Sequence, residues 1–419
     1  MRSVNQKWWW LPIWVILLMP VARARPQTSG QSLKWIGSWA AAMQTPEPQN
    51  ALPENALRDA TLRQIVHLSA GGTTLRVHIS NAFGKAPLHL TSVHIARPLS
   101  LSSSAIDPAS DRALSFSGRA DVTVPSGAEY ISDPISYAAP ALSSLAITFH
   151  LNGVPGGQTA HPGSRATSYL VQGDFVSAAK LKDATRVEHW YQIAGIDVDV
   201  ESGPNAASVI ALGDSITDGH GSTTNANDRW TDVLAERLQS SAATRNVSVL
   251  NQGIGGNHLL TDGLGPNALA RFDRDVLAQS SAKYLIVAEG VNDLGSLARQ
   301  NIASPGAHTA MVQNIIGAYQ QIIVRAHSHG IRVIGATILP YIGSLYYQPG
   351  PENESDRKAV NQWIRAPGHF DQVVDFDRVL CDPEHPDRLR PSYDSGDHLH
   401  PSPAGYRAMA DSVPLASFR

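Results

Sequence analysis

The chain has 419 residues, 42% of them apolar and 16% charged, with 33 basic against 36 acidic side chains and a formal charge of −3. That apolar share suffices for packed cores and is too high for a disordered chain. The near balance of charge, with no run of one sign, excludes the clustered basic field that nucleic acid or anionic lipid would need. A single cysteine, Cys381, excludes an internal disulfide and any cysteine-based zinc or iron–sulfur site.

Arg2 and Lys7 open the chain, an apolar stretch follows from Trp8 to Ala22, and Ala22-Arg23-Ala24 supplies a small-x-small cleavage pattern. The stretch has 15 residues, short of the roughly 20 that span a bilayer, and Pro12 and Pro20 interrupt it. These features predict a signal peptide over residues 1–24, cut after Ala24, and a secreted or periplasmic protein without a stable membrane anchor.

From 31 to 200 the pattern is that of strands. Leu75–Ser80 and Leu145–Leu151 alternate apolar and polar residues, as strands with one face on a core do. Gly71-Gly72 reads as a hairpin turn between Leu62–Ser69 and Thr73–Asn81. Short strands punctuated by Pro, Ser and Gly predict a β-sandwich-like first domain. Residues 201–205 read as the link to a second domain over 207–415.

There the pattern becomes strand–helix alternation. Strands are predicted at Ser208–Leu212, Val247–Asn251, Tyr284–Ala288, Arg332–Leu339 and Val373–Phe376. Helices are predicted from about Asp228, over Asn267–Gln279, His308–His329 and Asp356–Arg365, and from Pro403. This describes an α/β fold, a three-layer α/β/α domain around a parallel five-stranded sheet.

Four segments at strand ends carry residues suited to acyl transfer. Gly213-Asp214-Ser215-Ile216-Thr217 follows the first strand, Asn251–Asn257 the second and Gly290-Val291-Asn292-Asp293 the third. Asp397-His398-Leu399-His400 precedes the last helix. Parallel sheets gather such ends on one side. A G-D-S tripeptide alone is more often a turn, and Asn292 alone reads as a turn cap. The Asp397–His400 segment with His398 also offers metal ligands, although no third cluster with ligand spacing accompanies it, and His398 itself reads as a solvated loop residue.

All four blocks together, in order over about residues 207–415, resemble the SGNH (GDSL) hydrolases. The resemblance implies a metal-free serine esterase without cofactor. Ser215 would be the nucleophile, His400 its base and Asp397 the orienting carboxylate. The backbone N–H groups of Ser215 and Gly256 and the amide of Asn292 would form the oxyanion hole. Chemically, a serine hydroxyl needs such a base, and a tetrahedral oxyanion needs preplaced donors. Asp214 is expected to brace the serine loop. His220 and His258 read as cleft wall or as residues without a role.

Ala270–Val276 and Glu289–Asp293, with Thr61–Gln64 and Ser80–Gly84 in the first domain, resemble a secreted subfamily that includes arylesterases associated with xylan degradation. The expected substrates are therefore short-chain esters of saccharides or aryl alcohols, small or polysaccharide, with no nucleic-acid partner. A long-chain lipase and a non-catalytic carbohydrate-binding protein are the alternatives. The first domain reads equally as a cleft wall or carbohydrate-binding module and as a stabilising partner. Tyr341, Tyr346 and Tyr347 could stack on a sugar or aryl ring. Arg271 and Arg274 are expected to pair with Asp273 and Asp275 on an exposed helix face.

Overall fold

The described residues of the computed structural model, 34–200, 205–301 and 304–419, bury their apolar side chains in two main clusters. The predicted signal peptide, and Glu201–Pro204 of the predicted link, lie outside these residues.

The first cluster fills a sandwich of two antiparallel sheets. One sheet runs in the order Lys34–Ala40, Ile193–Val200, Gly72–Ser80 and Glu129–Ile131, with Ile135–Ala139 also paired to Gly72–Ser80. The other places Ser168–Gln172, Asp59–His67, Ser144–Asn152 and Leu88–Ala96 side by side. From Thr74 to Ile79 the strand Gly72–Ser80 alternates half-buried and buried positions, as its period-two sequence requires.

The hairpin expected at Gly71-Gly72 does not form. Asp59–His67 pairs with Ser144–Asn152, whereas Gly72–Ser80 pairs with Ile193–Val200 in the opposite sheet. The glycines carry the chain between sheets, held by the Asp199 carboxylate, which accepts the N–H groups of Thr73 and Thr74. Alternation sets which face of a strand is buried but leaves its partner strand open.

The second cluster surrounds a parallel five-stranded sheet in the order Val247–Gly253, Ala207–Gly213, Ala282–Ala288, Arg332–Ala336, Gln372–Val374. All of Ala207–Gly213 is buried, as a parallel strand covered on both faces must be. Helices Trp230–Gln239, Phe376–Leu380 and Pro403–Ser412 pack together. Pro305–His327 packs with Ala268–Phe272 and Pro351–Arg365, and the last also with Val291–Arg299. This is the expected α/β/α order. The first strand in sequence has the second on one side and the third on the other, so the order reverses there and a crevice opens at the carboxyl ends.

The sandwich packs on the edge strand of this sheet. Val249 donates its backbone N–H to Ser69 Oγ at 3.0 Å, which satisfies an edge donor. Gly37 N–H donates to Ser280 O at 3.2 Å, and Ser281 Oγ donates to Trp35 O at 2.7 Å. A Cβ at 37 would stand 2.6 Å from a Leu250 methyl, so any larger residue there would have to displace that side chain.

The expectation of exposed charges at 271–275 is overturned. Arg271 does pair with Asp275, at 3.0 Å, but its side chain is wholly buried. Asp273 instead faces solvent and pairs with Arg325, at 2.6 Å. Helix Ala268–Phe272 widens into a π-helical turn over Asp273–Leu277, and Arg271 lies under the strand ends. An i, i+4 charge pattern looks the same on a buried face as on an exposed one.

Candidate active site

Ser215 follows the strand Ala207–Gly213 with only Asp214 between, and opens the short helix Ser215–Asp218. Asp214 caps this helix, its Oδ1 accepting the Ile216 N–H at 2.9 Å. The sandwich also grips it: His161 Nε2 lies 2.9 Å from Asp218 Oδ1, and both side chains are buried.

Ser215 Oγ lies 2.8 Å from His400 Nε2, and His400 Nδ1 lies 2.6 Å from Asp397 Oδ2. With Nδ1–H donating to the carboxylate, Nε2 is left to accept the serine proton. Asp397 Oδ1 accepts the N–H groups of Leu399 and His400 at 3.0 and 2.9 Å. Burial opposes its charge, but the hydrogen bond and charge of His400 and these two N–H groups hold Asp397 well below the usual carboxylate range.

Gly256 follows the neighbouring strand in the left-handed region (φ 66°), where glycine is favoured. Asn292 sits in the first turn of Val291–Arg299, after the third strand. Its Nδ2 donates to Asn257 O at 2.7 Å, and its Oδ1 accepts the Tyr347 hydroxyl at 2.5 Å. One amide hydrogen of Asn292 is thus left over. Among the described residues no protein acceptor takes the N–H of Ser215 or of Gly256. Ser215, Gly256, Asn292 and His400 all line one cleft of about 600 Å³.

Arg271 holds the strand ends beneath this floor. Its guanidinium donates to the carbonyls of Gly213 (3.0 Å) and Gln252 (2.7 Å) and to Asn257 Oδ1 (3.0 Å). Burial, reinforced by nearby carboxylates (Asp293 and Asp218 for Asp214, Asp214 and Asp293 for Glu289), pushes the Asp214 and Glu289 carboxyls up, against the pull of Arg271.

The first domain forms much of the cleft wall, through Gln44, Glu47, Asn50, His161, Arg165 and His189. Arg165 has a positive φ of 48°, and its Nη2 donates to His220 Nδ1 at 3.2 Å. The His220 ring lies 4.1 Å from that of His400. Burial, then the charges of His400 and Arg165, bring His220 down to about 4. Nothing in the sequence singles out Arg165 or the wall it belongs to, because no local pattern records which loops face each other across a cleft.

One further expectation changes. Tyr341 is fully buried and cannot stack on a ligand, whereas Tyr346 is 47% exposed on the cleft and meets the His400 ring edge-on at 5.7 Å. His398 is an exposed loop residue, as expected, with Nδ1 2.6 Å from Asp394 Oδ2. The potential metal ligands that do converge are His220, Asp397 and His400, whose donor atoms lie within 4.8 Å of one another. Both ring nitrogens of His400 are already engaged by Asp397 and Ser215, so a cation here would have to break one of these hydrogen bonds.

Residues 211–408 match the model of the GDSL-like lipase/acylhydrolase family. No curated protein matches the chain. A GDSL-like lipase from Bacteroides thetaiotaomicron VPI-5482 is 19% identical over 51% of this chain and 88% of its own, with a TM-score of 0.38. An acetylxylan esterase from Geobacillus stearothermophilus is 18% identical over 50% of this chain and 94% of its own, with a TM-score of 0.37.

Proposed function

Residues 211–408 belong to the GDSL-like lipase/acylhydrolase family, which makes the protein a carboxylic ester hydrolase, and from that premise we propose that Ser215, His400 and Asp397 act as its nucleophile, base and orienting carboxylate. As Ser215 Oγ attacks the ester carbonyl carbon, its proton passes to His400 Nε2. The imidazolium so formed is stabilised by Asp397. The negative charge on the former carbonyl oxygen is met by the N–H groups of Ser215 and Gly256 and by the spare hydrogen of Asn292 Nδ2. Collapse breaks the bond to the alcohol, which leaves with the proton from His400. Water then repeats the sequence on the acyl-serine and releases the acid. The observation that carries this reading is the unbroken chain from Ser215 Oγ through His400 to Asp397, opening onto the cleft.

The substrates proposed are short acyl esters of saccharides or aryl alcohols. Each buried CH₂ of an acyl tail is worth about 0.8 kcal/mol, so a long-chain lipase needs an extended apolar groove. The apolar and aromatic side chains on this cleft, Pro162, Leu264, Tyr346, Tyr347 and Leu399, are scattered among more numerous polar ones and form no extended groove. The half-exposed Tyr346 ring suits a sugar or aryl face. Export from the cell, with cleavage after Ala24, completes the reading. Among the described residues no helix is long and apolar enough to cross a membrane, and N-terminal sequencing of the mature protein tests the cleavage site.

Ser215→Ala should lower ester turnover by roughly 10³–10⁶ while the fold is kept. Full activity in the purified variant refutes the nucleophile. On aryl esters of rising chain length, acetyl to butyryl should give the highest kcat/KM; a maximum at ten carbons or beyond would move the substrate to long-chain lipid.

A further inference from the structure

We propose that Tyr347 is a positioning residue for the oxyanion hole: its hydroxyl fixes the amide of Asn292 so that N–H, not C=O, faces the developing oxyanion, and Gly295 is the residue that admits its ring. The proposal rests on the oxyanion role given to Asn292 above.

A side-chain amide is nearly symmetric in shape but not in charge. Turned over, it would present a lone pair to the oxyanion and so repel what it should bind. Two contacts define the amide at 292. The Asn257 carbonyl can only accept, and it takes one hydrogen of Nδ2 at 2.7 Å. The Tyr347 hydroxyl donates to Oδ1 at 2.5 Å. Asn292 is 1% exposed, so an Oδ1 deprived of Tyr347 could not turn to bulk water. Among the donors of the same cleft left without a protein acceptor are the N–H groups of Ser215 and Gly256. An Oδ1 that sought them would occupy the very hole that Nδ2 should complete.

Tyr347 is built for this one contact. Burial pushes its phenol up to about 12, so it remains a donor at any working pH. Its ring lies against Gly295, where a Cβ would stand 2.6 Å from ring atoms. Glycine inside a helix is disfavoured relative to alanine, yet Gly295 stands in the middle of Val291–Arg299, three residues after Asn292 and on the same helical face. The Arg299 guanidinium stacks over the ring at 5.0 Å, and Tyr341 meets it edge-on at 6.5 Å. The helix that carries Asn292 thus also carries the seat of the residue that orients it.

The experiment is a double-mutant cycle on a short-chain aryl ester. Tyr347→Phe keeps the ring and should lower kcat about tenfold with KM nearly unchanged, while Asn292→Ala lowers kcat by about 10²–10³. Placed on Asn292→Ala, Tyr347→Phe should cost nothing more, because no amide remains to orient. Gly295→Ala, which displaces the ring, should follow the same pattern. Two results overturn the proposal: an unchanged kcat in Tyr347→Phe, or the same loss in both backgrounds, which would mark a general structural role. An unchanged kcat in Asn292→Ala would instead refute the oxyanion reading beneath it, and the proposal with it.

Discussion

Replacing Arg271 by methionine tests whether this buried cation holds the strand ends together. The arginine side chain is wholly buried and donates to two backbone carbonyls and Asn257 Oδ1, besides pairing with Asp275 and Glu289. Methionine fills similar space but removes every one of these donors. Asp275 keeps Arg274 at 2.6 Å, whereas Glu289, fully buried, loses the cation it faces. Breaking a buried pair from one side costs about 3–5 kcal/mol, and the orphaned carbonyls of Gly213 and Gln252 keep the loss in the upper part of that range. For a domain of this size each kcal/mol moves the melting point by about 2–4 °C, so a loss of about 4–5 kcal/mol should make the hydrolase domain melt about 8–20 °C lower. Differential scanning calorimetry reads this directly. Arg271→Lys, which keeps the charge but not the fork, should fall in between. The variant should also lose kcat, because the freed carbonyls belong to the strand ends that carry Ser215 and Gly256. A melting point within about 2 °C of wild type would refute the reasoning and make Arg271 a replaceable packing residue.

Asp397→Asn should cut kcat by roughly 10³–10⁴, since an amide N–H facing His400 Nδ1 forces the proton onto Nε2, where it blocks acceptance from Ser215. A loss below tenfold in steady-state kinetics would remove Asp397 from the orienting role. A pH effect is expected far from this site, at His78. Burial works against its charge, but hydrogen bonds to Asp197 and Glu129 push it up to about 9. A histidine raised in the folded state stabilises fully below its unfolded value of about 6.5, and that stability, on the order of 3 kcal/mol, is lost as pH rises through 9. His78→Gln should therefore lower the melting point markedly at pH 6 and little at pH 10; an equal effect at both would contradict the assignment.

The sequence by itself determined the class of both domains, the five parallel strands to within a few residues, and the placing of three of the four short blocks at strand ends, the fourth, Asp397–His400, lying in the loop before the last helix. These features are local. A buried parallel strand is a short apolar run, an amphipathic helix has its own period, and a block directly after a strand is carried to the carboxyl edge of the sheet. Partner choice is not local. Nothing around Gly71-Gly72 records that the chain there changes sheets, and nothing in Ala270–Val276 distinguishes a solvated ion pair from the buried fork of Arg271. The approach of His400 to Ser215 spans 185 residues and that of Tyr347 to Asn292 spans 55. The wall that Gln44, His161 and Arg165 place across the cleft comes from another domain. Only packing decided these. Burial turns the same charged or aromatic side chain into a surface group or a structural anchor, and which of the two it becomes depends on segments far away along the chain.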